Sequence, residues 1–194
     1  MVDSETIEAV VRQRRSFRLK DLKPDPVPRA LVERLLEAAR WAPNHGHTEP
    51  WRFAVYTGEG RRALGDALGE AYRLGTPAAA FDATAQAGQR DRVWQAPVWI
   101  GVGMVVGTNP KIPEVEEVLA LGAAVQNLLL VATALGLGSK WTTGLAATHP
   151  HTAAFVGLAP PARLLGFVYV GWPAVPWPAG GRAELGGKVT WVEG

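Results

Sequence analysis

Residues Val118–Ser139 read VLALGAAVQNLLLVATALGLGS, and this stretch decides the fold. None of its 22 residues is charged. As a helix it would run about 33 Å, enough to cross a bilayer. Two features favour a helix buried inside a folded chain instead. Gln126 and Asn127 sit near its middle, where hydrocarbon would penalise both amides. Glu114, Glu116 and Glu117 crowd its N-terminal side, where carboxylates complement the helix macrodipole. A helix that is apolar on all sides needs cover all round, which predicts packing against a second subunit.

Working outward, helical and strand signals alternate. Before the long run, Ser4–Gln13 reads as a short helix with Ser4 as its N-cap. Pro28 opens a second helix whose stripe is Leu31, Val32, Leu35, Leu36 and Ala39. Trp51–Thr57 reads as a strand bounded by Gly58. Glu59–Leu74 and Ala78–Val93 read as helices, and Pro97–Val106 as a central strand. After the long run, Gly136–Gly144 reads as a glycine-punctuated turn and His149–Leu158 as a short helix. Leu164–Val170 reads as a strand, and Lys188–Val192 as an added strand beyond a Pro/Gly-rich tail. Strands separated by two helical units predict an α+β fold. Its mixed central sheet is flanked by helices, and the long helix is buried at a dimer interface. The 194 residues fit one domain, 1–194.

Composition narrows the chemistry. There is no cysteine, which excludes disulfides, thiolate metal sites, iron–sulfur ligation and a cysteine nucleophile. Any redox chemistry needs a bound cofactor. The net charge of +2 gives no overall polyanion-binding signature. It hides a local excess, for Arg12–Lys23 carries six basic residues and one acid, Asp21. Met1–Val11 lacks the basic start of a signal peptide, which predicts a cytoplasmic protein. No GxGxxG follows a strand and no GxxxxGK[ST] occurs, so the dinucleotide-fold and P-loop motifs are absent.

Three constellations carry candidate chemistry. Arg14-Arg15-Ser16-Phe17-Arg18 offers guanidinium forks and a hydroxyl suited to a terminal phosphate, although a solvated basic face has the same composition. Trp41-Ala42-Pro43-Asn44-His45-Gly46-His47-Thr48-Glu49-Pro50-Trp51 is a proline-stiffened loop whose amide and imidazole groups can read a planar heterocycle. His45, His47 and Glu49 also hint at a metal, but no further ligand completes a site, and none is expected. Gly138-Ser139-Lys140-Trp141-Thr142-Thr143-Gly144 offers an aromatic face, hydroxyls and small residues that admit a ligand close to the backbone. Together they suit flavin mononucleotide (FMN) better than a free metabolite.

These segments, in this order, resemble the FMN-dependent nitroreductase family, and in particular its small NAD(P)H nitroreductase subgroup. The likeness runs from Val10 to about Pro173. It is carried by Arg14-Arg15-Ser16, Ala42-Pro43-Asn44-His45, Pro50-Trp51-Arg52-Phe53, Gly122–Asn127, Gly136–Gly144 and Gly166–Pro173. The resemblance implies an α+β homodimer with FMN at the subunit interface. NADH or NADPH would be the hydride donor, and a nitroaromatic, quinone or similar electron-poor molecule the acceptor in a ping-pong cycle. It implies that Arg14, Arg15 and Ser16 hold the phosphate and ribityl end. It also implies that Trp41, His45, Trp141, Thr142 and Thr143 contact the flavin and that Arg18 lies near the ring's pyrimidine edge.

No side chain is implied as a nucleophile, and neither nucleic acid nor membrane is implied as a partner. Where many relatives carry Asn and Gln, this chain has His47 and Glu49. Only Arg182 and Lys188 follow Gly171 as basic residues, so phosphate holding is expected to fall on the N-terminal arginines. A non-catalytic flavin-binding protein on the same fold remains the alternative.

Overall fold

The computed structural model describes residues 3–158 and 160–194. Four strands form one sheet in the order β1-β2-β4-β3: β1 (Trp51–Thr57), β2 (Val98–Val105), β3 (Gly138–Thr142) and β4 (Ala162–Gly171). All three pairings between them are antiparallel. The mixed sheet predicted from element order is therefore realised only at its margin. There Ser16 makes a single parallel bridge to Ser139 on the open side of β3.

Helices cover both faces of the sheet. On one side lie α2 (Arg29–Arg40) and α5 (Glu114–Ala134). On the other lie α3 (Gly60–Gly75), α6 (Leu145–Thr148) and α7 (Pro150–Phe155). The alternation along β2 assigns the faces. Val98, Ile100, Val102 and Met104 pack with Val32, Leu35 and Ala39 of α2 and with Leu121, Val125 and Leu128 of α5. Trp99 points the other way, toward Leu64 and Leu68 of α3. Cover on both faces explains why β2 is apolar throughout. Gly103 belongs to this arrangement because a Cβ there would collide with Leu158.

The uncharged run is a core helix on one side only. Ala120, Leu121, Ala124, Val125, Leu128 and Ala132 are buried, whereas Leu119 is 66% and Val115 59% exposed. A Cβ on Gly122 would meet nothing within 4 Å. The helix α1 (Ser4–Gln13) buries none of its residues and leaves Ile7 and Val11 exposed.

Several boundaries differ from the sequence reading, each for a local reason. Asp3 rather than Ser4 caps α1, because its carboxylate accepts from the Glu5 and Thr6 amides. The helix expected over Ala78–Val93 is broken. Asp82 accepts from the Thr84 amide and starts α4 (Ala83–Asp91), with 3-10 turns on either side.

Gly136–Gly144 is not simply a turn. Gly136, at φ +72°, and Gly144, at φ +127°, turn the chain, while Gly138–Thr142 between them pairs with β4 as β3. Gly138 is a glycine because a Cβ would lie 2.9 Å from Phe17 and 2.7 Å from Leu22. Lys188–Val192 forms no strand, and Trp191 is 82% exposed. The tail instead runs back along the N-terminal segment. Leu22 bridges Pro173, Ala174 N–H donates to the Asp21 carbonyl at 2.8 Å, and Trp177 Nε1 donates to the Gln13 carbonyl at 2.7 Å. Phe17 and Trp177 meet edge to face at 4.9 Å.

Candidate functional site

That returning tail helps build a strongly cationic cavity. Val11, Arg12, Arg14, Arg15, Gln126, Gly180, Gly181 and Arg182 line a cavity of about 630 Å³. Four guanidinium groups thus converge from two ends of the sequence.

They are not equivalent. Arg12 is paired with Glu8 at 2.8 Å. One Arg15 nitrogen donates to the carbonyls of Arg12 and Arg14 at 2.6 and 2.8 Å, while its buried Nε has no acceptor. Gly180 packs directly on this guanidinium, where a Cβ would land on it. Arg182 donates only to its own neighbour, the Gly181 carbonyl. Arg14 makes no side-chain hydrogen bond among the described residues. An unsatisfied buried N–H beside uncommitted guanidinium groups is the donor set a phosphate requires.

Ser16 follows on the edge of β3, where Phe17 N–H donates to the Ser139 carbonyl at 3.1 Å. Ser139 is buried and its hydroxyl has no partner. Trp141, Thr142 and Thr143 lie further along the same strand and just beyond it. Trp141 is partly buried and its Nε1 donates to the Leu165 carbonyl at 3.2 Å, so its indole orientation is fixed from within. Gly166 keeps the backbone of Thr142 close, since a Cβ at 166 would strike the Thr142 carbonyl. The Arg14–Ser16 and Trp141–Thr143 segments therefore share one sheet edge.

Arg18 departs from expectation. Its guanidinium grips Asp21 with two bonds, 2.7 and 3.2 Å long. The Arg18 hydrogen bond holds the Asp21 carboxyl below its ordinary range, and Asp21 in turn raises the Arg18 pKa. Any anion near Arg18 meets a charge already opposed by its neighbour.

Trp41 and His45 occupy a different place. Trp41 ends α2 with its ring 73% exposed, and its Nε1 donates to Glu37 at 2.9 Å. His45 Nδ1 meets Glu116 at 2.5 Å on the first turn of α5. Gly46, His47 and Glu49 take φ of +62°, +54° and +43°. Left-handed backbone costs a residue other than glycine roughly 1–2 kcal/mol, so this loop has to be held. Asn44 holds it locally by accepting from Glu49 N–H at 3.1 Å. Among the described residues no cluster of three or more His, Asp or Glu side chains is arranged for a metal.

Glu116 and Gln126 are ten positions apart on α5, about 15 Å along the axis. One protomer therefore brings Arg14, Arg15 and Ser16 together with Trp141–Thr143, but not with Trp41 and His45. Sequence reasoning missed Gln126 and Glu117 as site neighbours and left Arg182 undecided. Gln126 did carry a signal, as a polar residue in an apolar helix.

Comparison with known proteins settles the family. The model of the Nitroreductase family matches residues 11–172. The chain belongs to the Nitroreductase family. The protein called "Putative NAD(P)H nitroreductase YdjA" of Escherichia coli is 30% identical over 169 residues, covering 87% of this chain and 88% of the relative. The nitroreductase-like family protein from Bacillus cereus superimposes with a TM-score of 0.83 at 30% identity, each chain fully covered. A nitroreductase structure from Desulfovibrio desulfuricans, solved in complex with FMN, gives a TM-score of 0.71 at 27% identity and covers 100% of this chain and 99% of that one. The nitroreductase fold thus accounts for the single antiparallel sheet, the long α5 and the N-terminal segment laid along β3.

Proposed function

We propose that this chain is an FMN-dependent oxidoreductase that uses NADH or NADPH to reduce nitroaromatics, quinones or similar electron-poor small molecules. The observation that carries this reading is the cavity where Arg14, Arg15 and Arg182 converge, an anion site built onto a nitroreductase fold. When bound, FMN would supply the two-electron chemistry, accepting hydride from the nucleotide and passing it to the acceptor. Sequential use of one stacking site is expected to give ping-pong kinetics.

The protein's own share is binding and orientation. Arg14, Arg15 and Arg182 would hold the phosphate, and Ser16 the adjoining polyol. Trp141, Thr142 and Thr143 would contact the ring from the edge of β3. Arg18 would add only a weakened positive field, since Asp21 opposes it.

Trp41 and His45 would come from a second copy. The exposed apolar strip of α5, with Leu119 and Gly122, gives that copy a surface to pack on. An antiparallel α5 crossing near Gly122 sets its first-turn region opposite Gln126 of the other copy. The site is thus completed in a homodimer of one FMN-binding domain spanning residues 1–194. We place it in the cytoplasm, with no nucleic-acid or membrane partner.

The test is the visible spectrum of the purified protein, followed by anaerobic addition of NADH and of NADPH. A flavin spectrum that bleaches with at least one nucleotide is expected. A yellow protein that bleaches with neither is a flavin-handling protein, and a colourless one that takes up no added FMN overturns the proposal.

A further inference from the structure

Two consecutive glutamates on α5 hold the loop that carries His45. His45 Nδ1 meets Glu116, and Thr48 Oγ1 donates to Glu117 Oε2 at 2.8 Å. The two contacts differ in setting. The His45–Glu116 pair is exposed and screened by solvent, so it holds the loop weakly. Glu117 is only 1% exposed, and its second oxygen, Oε1, has no hydrogen-bond partner among the described residues. Gly107 leaves room for that oxygen, because a Cβ at 107 would lie 3.2 Å from it.

A buried carboxylate with a single donor is under-bonded and costly to keep. Among the described residues its one side-chain hydrogen bond comes from the loop hydroxyl. Thr48 sits between His47 and Glu49, the two residues other than glycine with left-handed backbone among the described residues. On the other side of the loop, Ile112 lies 2.8 Å from where a Gly46 Cβ would be, so the loop is hemmed in at that point.

We propose that Glu117 is a positioning residue. Through Thr48 it fixes the Asn44–Glu49 loop in its left-handed form and so sets where His45 meets the flavin ring. This rests on the reading that the His45 loop reaches FMN. It adds that the loop's geometry is set from the α5 core as well as by Asn44 within the loop. Glu116 assists and is the weaker contact.

The experiment compares Thr48→Val, Glu117→Gln and Thr48→Ser with the wild type. Glu114→Gln is the control, because it breaks the neighbouring Arg163 ion pair on the same turn without touching the loop. Hydrogen exchange of residues 44–49, followed by mass spectrometry without cofactor, reports the loop alone. FMN titration with its visible difference spectrum reports the ring. Loss of a buried charge-assisted bond is expected to raise exchange of the loop in Thr48→Val about tenfold, with a similar loss of FMN affinity and an altered ring spectrum. Glu117→Gln should move the same way to a smaller extent. Thr48→Ser should restore both readouts, and Glu114→Gln should match the wild type.

Unchanged exchange in both Thr48→Val and Glu117→Gln overturns the positioning role. Faster exchange with wild-type FMN affinity and spectrum also overturns it, while leaving the flavoprotein reading intact. A wild-type protein that binds no FMN overturns that reading, and the positioning role falls with it.

Discussion

The proposed anion site lends itself to a quantitative test by substitution. Of its four guanidinium groups, Arg12 is engaged by Glu8, and Arg15 is partly engaged by the backbone. Arg14 and Arg182 are the two with the most donor capacity left. A hydrogen bond to a charged group contributes about 1.5–3 kcal/mol net. At about 1.4 kcal/mol per tenfold, Arg14→Ala should weaken FMN binding by roughly 10–100-fold. Arg182→Ala should cost nearer tenfold, because its position depends on a tail whose last residues are exposed. Fluorescence titrations with FMN and riboflavin in parallel isolate the effect, since riboflavin has the ring and polyol but no phosphate. Both substitutions should leave riboflavin affinity near the wild-type value and shrink the FMN-to-riboflavin ratio. Added salt should lower that ratio in the wild type and do so less in the variants. An unchanged ratio in Arg14→Ala would refute the phosphate assignment. Equal losses for the two ligands would mean that Arg14 supports the ring or the scaffold instead.

Gly180→Ala would push a methyl group into the Arg15 guanidinium, and overpacking of this kind costs about 1–3 kcal/mol. It should lower the melting temperature and weaken FMN binding together, and a variant that melts and binds as the wild type does would show that the tail yields freely. Asp21 is held below its ordinary carboxylate value by Arg18, so its pairing stabilises the fold above the unfolded Asp pKa near 3.9 and is lost as pH falls below it. Asp21→Asn should therefore be less stable than the wild type at neutral pH, with the gap closing in acid melts, and a constant gap from neutral to acid pH would exclude the linkage. Leu119→Glu places a charge on the exposed strip of α5. It should shift sedimentation toward monomer and reduce FMN affinity in step, whereas a monomer with wild-type affinity would show that one copy suffices.

How much of this was legible depended on distance along the chain. Trp51–Thr57 carried its own boundaries, in its alternation and in Gly58, and β1 spans those residues. The stripe on α2 was equally local, since burial on one side leaves a periodic trace, and the uncharged run in α5 announced its helix by apolar length alone. The glycines before and within β3 misled because glycine marks a turn at 136 and a close approach at 138, and the sequence does not distinguish the two. Arg14 and Arg15 pointed to the proposed anion site, but Arg182, which lines the same cavity, could not be assigned to it, because the tail reaches it by a long-range path. Glu116 and Glu117 looked like ordinary acids at a helix start, and macrodipole complementarity accounted for them. Their contacts with His45 and Thr48 join elements about 70 residues apart, specifically 71 and 69, which no local pattern reveals. Arg18 looked like a spare cation, although its partner lay only three residues away.

The return of the tail to the N-terminal segment bears on the order in which the protein is made. Trp177 closes on Gln13 across 164 residues, and Gly180 and Arg182 reach the cavity only beyond that point. A nascent chain can present Arg14 and Arg15 early, yet the cavity cannot close until Trp177, Gly180 and Arg182 have also emerged. Under the proposed function, cofactor loading would wait for that return, and a chain lacking the segment would lack Arg182 at its phosphate site.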